Sequence, residues 1–185
     1  MLPDAGTPPT VTATFGSCAT FQPCAGNLAG TWFRSAICVA PTNPFGTFCP
    51  TGQFVSYTGA GTGRLDFLGS TLVQTSGGTE SFLVNFPSEC LVTPITSCAQ
   101  LQSFLSSATC GAAGGGRTGC DCTGTVSGTP TPVATAWVDN GGGLITVTDS
   151  QSNSTQWRTC VTPGSPDVLR VTGSDGLGLR TYQRR

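Results

Sequence analysis

Gly30-Thr31-Trp32-Phe33-Arg34-Ser35-Ala36-Ile37-Cys38-Val39 is the most strongly patterned stretch of the chain. It is rich in aromatic and β-branched residues, which pack well on a pleated surface, and Gly30 and Pro41 bound it. It reads as a strand. Residues 53–57, 64–68, 71–74 and 81–86 follow as short strand candidates, with Gly59, Gly61, Gly63, Gly69, Gly77 and Gly78 between them. In Arg64-Leu65-Asp66-Phe67 polar and apolar residues alternate, so Asp66 is expected to face solvent or an enclosed lumen. Residues 122–127, 133–139, 144–149, 155–161, 168–172 and 177–183 continue the pattern at roughly 8–12-residue spacing. Asp139-Asn140-Gly141 is a hairpin-turn signal, because Asn and Gly accept positive φ.

One segment departs from the rule. Cys98, Leu101, Phe104 and Leu105 share one helical face, Ser97 with Gln100 makes a capping box, and Pro94 precedes them. This predicts a single short helix near 96–106. A Gly-rich connector follows at 111–116 and is expected to be mobile. Upstream of the first strand, residues 1–28 read as an extended Thr- and Pro-rich leader, broken by Pro3, Pro8, Pro9 and Pro23. Cys18 and Cys24 suggest that its second half is tied to the body. Residues 29–185 form one disulfide-rich β domain in this reading. Short antiparallel strands must hide their sheet edges, and either a closed up-and-down barrel or a two-sheet sandwich does so. Strand spacing alone does not choose between them.

Composition narrows the function. The 185 residues carry a net charge of −1, and all eight basic residues are Arg; there is no Lys and no His. That excludes a catalytic His, a His-ligated metal and a Schiff-base Lys. Eight scattered Arg give no basic stripe for nucleic acid. No run approaches the roughly 18 apolar residues a membrane helix needs. Met1-Leu2-Pro3-Asp4-Ala5-Gly6 has no signal-peptide character, so a removed signal and an added Met1 are the expectation.

Ten Cys with no C-x-x-C, and with Cys120-Asp121-Cys122 as the only C-x-C, do not make a zinc module. They read as disulfides, and hence as a secreted, periplasmic or cell-surface protein. Cys38 and Cys49 flank the Pro- and Gly-rich loop at 41–48 and are expected to pair; Cys18 with Cys24 is a second local candidate. Ten Cys allow about 945 full pairings, so most connectivity stays open. Cys120 and Cys122 point to one face of a strand, and each is expected to have a distant partner.

Gly30-Thr31-Trp32 resembles the G-x-W that begins the first barrel strand of lipocalins. Gly142-Gly143-Leu144-Ile145-Thr146-Val147 and Asp167-Val168-Leu169-Arg170-Val171 are similar to runs near the end of small bacterial lipocalin-like envelope proteins. The resemblance covers residues 29–185. It implies an up-and-down β-barrel in which Trp32 packs across the closed end under Arg180 or Arg184 of the last strand. It also implies a lumen for a small apolar molecule. Phe54, Phe67, Phe82, Trp137 and Trp157 are the candidates to line it.

Other chemistry finds little support. A glycosidase-like carboxylate pair has few candidates, since Asp139, Asp149 and Asp167 sit at turn positions. Calcium would need six to eight oxygens, with Asp139-Asn140 or Asp149, Ser150 and Asn153 as the only clusters. The expectation is therefore a non-enzymatic protein with no cofactor and no metal, binding a small apolar ligand. The alternatives are a structural or adhesive module whose leader adds a strand to a neighbour, and a secreted enzyme or inhibitor. A lumen of about 300 Å³ or more would favour ligand binding, and a filled core the module.

Overall fold

Residues Gly30–Val39 do form a strand, and the described residues around it fold as ten strands, one α-helix and a single 3-10 turn at Ser88–Cys90. The structure is a computed structural model that describes residues 6–42, 48–105, 107–173 and 178–185. The strands are β1 (Val11–Phe15), β2 (Gly30–Val39), β3 (Gln53–Leu68), β4 (Thr71–Phe86), β5 (Ala108–Ala112), β6 (Cys120–Gly141), β7 (Leu144–Thr148), β8 (Ser154–Thr162), β9 (Val168–Thr172) and β10 (Gly178–Arg184). The helix, α1, is Cys98–Phe104. Ser97 caps it by accepting from the Gln100 N–H at 3.3 Å, while the Gln100 side-chain oxygen accepts from the Thr96 N–H at 2.8 Å. The helix is thus the predicted one, trimmed at both ends. Leu101 is its buried residue, whereas Phe104 stays exposed and stacks on Phe48.

All ten strands belong to one sheet rather than two facing ones. β2, β3, β4, β6, β7, β8, β9 and β10 each pair antiparallel with the next. β10 then pairs back onto β2, so the strands ring round. The right-handed twist of each strand pair makes such closure possible. Alternate residues face the interior, where Leu65, Phe67, Leu72, Ile145, Val147, Leu169, Val171 and Tyr182 form the ring's core. Arg184 stands opposite Trp32 in register.

The strands are longer and fewer than their glycines suggest. Candidates 53–57 and 64–68 are one strand, as are 71–74 with 81–86, and 122–127 with 133–139. Glycine here sits inside strands because neighbouring backbones approach closely. A Cβ on Gly78 would lie 2.3 Å from the Ala60 carbonyl oxygen, and Gly78 has φ +148°. Gly61, Gly78 and Gly128 face one another across β3, β4 and β6 as a transverse row of glycines. The β6–β7 hairpin also turns later than expected. Asp139 accepts from the Gly141 N–H at a register shift, and Gly142 and Gly143, both at positive φ, make the two-residue turn.

β3, β4 and β6 run on beyond the ring. With β5 and α1 they build a second small core of Val84, Phe86, Ile95 and Leu101 and the cystines Cys49–Cys90, Cys98–Cys120 and Cys110–Cys122. The Gly-rich connector beside it is tied down: Asp121 accepts from the Gly114 N–H and pairs with Arg117 at 2.6 Å.

The leader folds into the sheet. β1 runs parallel to β2 and antiparallel to β3, wedged where those two strands diverge. Both of its edges are thus paired within the chain rather than with a neighbour. All ten Cys are oxidised, but neither expected local pair forms. Cys38 bonds Cys18, because β1 lies along the end of β2 and returns Cys18 to its side. Cys24 bonds Cys160, where the leader crosses β8 and the Cys24 N–H donates to the Thr159 carbonyl at 2.9 Å. Cys49 belongs to the second core and bonds Cys90. Cys120 and Cys122 each have a partner elsewhere in the chain, as expected: Cys120 bonds Cys98, and Cys122 bonds Cys110, its cross-strand neighbour on β5. Residues 43–47 of the loop between Cys38 and Cys49 lie outside the described residues.

Candidate functional site

One end of the ring is plugged. Trp32 has no exposed surface, and its indole N–H donates to the Leu28 carbonyl at 2.7 Å. The Arg184 guanidinium lies 4.5 Å from the ring centroid, within cation–π range, and donates to the Asn27 carbonyl. Arg184 therefore takes the stacking position. Arg180, four residues earlier on the same face, stands opposite Ile37 and points into the space above.

That space is a partly open cavity of about 550 Å³. Its floor is the upper side of the ring core, at Leu65, Val171 and Tyr182. Of the aromatic candidates, Phe54, Phe82 and Trp157 line it. Phe67 and Trp137 do not; they pack edge to face, with centroids 5.0 Å apart, in the ring core below. Phe54 meets Tyr57 and Phe82 edge-on at 6.1 and 6.3 Å. Phe82 also fills the space over Gly124, where a Cβ would strike its ring at 2.5 Å. Part of the wall has no side chains at all, being Gly77, Gly78, Gly128 and Gly178.

The cavity is more polar than a lumen for an apolar molecule would be. Arg34, Tyr57, Arg64, Gln74, Glu80 and Arg180 line it beside the apolar residues. None of the six was expected there, and for Arg34 and Glu80 residue parity carried the signal. Arg34 comes two residues after Trp32 and faces the same side, as Glu80 does relative to Phe82. Burial, reinforced by a hydrogen bond to Glu80, pushes the Tyr57 hydroxyl well above the ordinary phenol range. Tyr57 is a neutral donor at any physiological pH. Arg64 is neutralised by Asp66 at 2.8 Å. Asp66 faces neither solvent nor the lumen. It is 1% exposed on the outer side of β3, accepting from the Thr31 hydroxyl at 2.7 Å.

The other acidic clusters are structural. Asp149 accepts from the Gln151 and Asn153 backbone N–H groups and from the Asn153 side chain, which closes a turn and draws its carboxyl below the usual range. Asp121 is held down to about 2, first by Arg117 and further by Gly114 and Asn85. Among the described residues, no three of Cys, Asp and Glu gather as metal ligands, and no helix is long and apolar enough to cross a membrane. No protein-family model matches the chain, and no curated protein matches it.

Proposed function

We propose that the protein is a non-enzymatic, lipocalin-like binding protein that holds a small molecule inside a β-barrel. The observation that carries this reading is the cavity of about 550 Å³ above the Trp32–Arg184 plug. Its volume falls within the roughly 300–1,000 Å³ of small-molecule sites. The antiparallel ring of eight strands supports the barrel, and the stacked Arg on the first-strand Trp supports the family resemblance. Five disulfides joining all ten Cys support an oxidising compartment, and within that class we favour a secreted, periplasmic or cell-surface protein. Glu80 is the one carboxylate among the described residues lining the cavity, which is too few for paired acid–base chemistry.

Titration with a neutral solvatochromic dye tests the proposal, read by quenching of Trp157 in the cavity wall. Saturable one-to-one binding, with the quench lost in Trp157→Phe, is the expected result. A folded protein that shows no saturable uptake would shift the reading to a structural module.

A further inference from the structure

Arg34 is 91% buried by its 9% exposure, and its side chain reaches into the cavity. Its Nε is buried without a hydrogen-bond acceptor. Among the described residues no carboxylate lies within ion-pair distance of Arg34 or of Arg180. The Arg34 Cζ lies 5.9 Å from the centroid of the Tyr182 ring. A buried guanidinium N–H without an acceptor carries a desolvation cost that an anionic ligand in the cavity would offset. Sequence has made room for the guanidinium there: a Cβ on Gly63 would lie 2.4 Å from Arg34 Nε and 2.5 Å from Cζ.

The charges of the cavity do not cancel. Asp66 neutralises Arg64, which leaves Arg34 and Arg180 against the single carboxylate of Glu80. Glu80 is engaged by the Tyr57 hydroxyl, and both arginines lie close enough to act electrostatically on that hydroxyl. The site therefore has one excess positive charge beside an apolar wall of Ile37, Val39, Phe54 and Trp157. A dianion such as a phosphate monoester would add repulsion from Glu80. Resting on the reading of the cavity as a ligand site, we propose that its ligand is a monocarboxylate amphiphile, with the carboxylate between Arg34 and Arg180 and the hydrocarbon on the apolar wall.

Calorimetric titration with octanoate and with 1-octanol at pH 7 separates the claims. The two probes share a chain length and differ in the charge of the head group. Octanoate is expected to bind at least about tenfold more tightly than 1-octanol, a factor worth about 1.4 kcal/mol. Arg34→Gln is expected to remove that preference. Equal affinity for the two probes would overturn the carboxylate assignment and leave the cavity reading standing. Binding of neither, by protein with a native near-UV spectrum, would overturn both. If Arg34→Gln loses its native spectrum, Arg180→Gln provides the test by the same loss of preference. Retention of the octanoate preference in a folded variant refutes the inference.

Discussion

The bridge between Cys24 and Cys160 spans 136 positions, against 12 for Cys110–Cys122. In the chain-entropy picture, closing the long loop in the unfolded state is worth about 5 kcal/mol and closing the short one about 2.8 kcal/mol. Three other bridges lie wholly within the long loop and shortcut it. Its effective length falls to about 70 residues, and the contribution to about 4.5 kcal/mol. The double variant Cys24→Ser/Cys160→Ser should thus be less stable than Cys110→Ser/Cys122→Ser by about 1.5–2 kcal/mol. Urea unfolding of the two variants, followed by tryptophan fluorescence, measures the difference. Both removals leave the other four bridges in place, so the comparison is internal. A Cys24/Cys160 variant as stable as the Cys110/Cys122 variant would refute the reasoning. The long bridge would then act only through local contacts, such as the Cys24 N–H on Thr159.

Three further outcomes follow from the same structure. Trp32→Ala should cost about 3–5 kcal/mol as a fully buried large aromatic, and a double-mutant cycle with Arg184→Met should return a coupling of about 0.5–2 kcal/mol; a coupling of zero in thermal unfolding would remove the stacking from the account. Asp121 has a depressed folded-state pKa, so its ion pair with Arg117 stabilises fully above about pH 4 and is lost as pH falls toward 2; after allowance for solvent screening the contribution is about 1 kcal/mol, and Asp121→Asn should flatten the acid limb of the stability profile by that amount. Gly128→Ala meets open space and should be neutral or stabilise by up to about 1 kcal/mol, while Gly78→Ala, at positive φ and against the Ala60 carbonyl, should destabilise by more than that; equal melting temperatures would contradict the packing described for that row.

The first strand and the helix were legible because their signals are local. Thr31–Val39 needs only β-branched and aromatic residues between Gly30 and Pro41, and the Ser97–Gln100 box needs four residues. The strand lengths were not legible, because Gly59, Gly61, Gly63, Gly77 and Gly78 look like punctuation until the neighbouring backbone is in place. The cystines were beyond reach for a related reason. Cys18 and Cys24 are six residues apart, yet β1 and the crossing of β8 send them to opposite partners, Cys38 and Cys160. Half of the cavity was visible in Phe54, Phe82 and Trp157. Arg34 was missed because a charged residue in a strand is read as pointing outward, although its parity with Trp32 already placed it inside.

The row Gly61–Gly78–Gly128 has a mechanical consequence. Interlocked side chains are what stiffen a sheet against bending across its strands, and a line of glycines removes them along one axis. That line is a crease. On one side lie Leu65, Phe67 and Leu72 of the ring core; on the other lies the second core, riveted by its own three bridges. No bridge crosses it. The second core is therefore a stiff lever arm on a compliant strip, and because Gly78 and Gly128 also belong to the cavity wall, tilting that arm would change the width of the cavity.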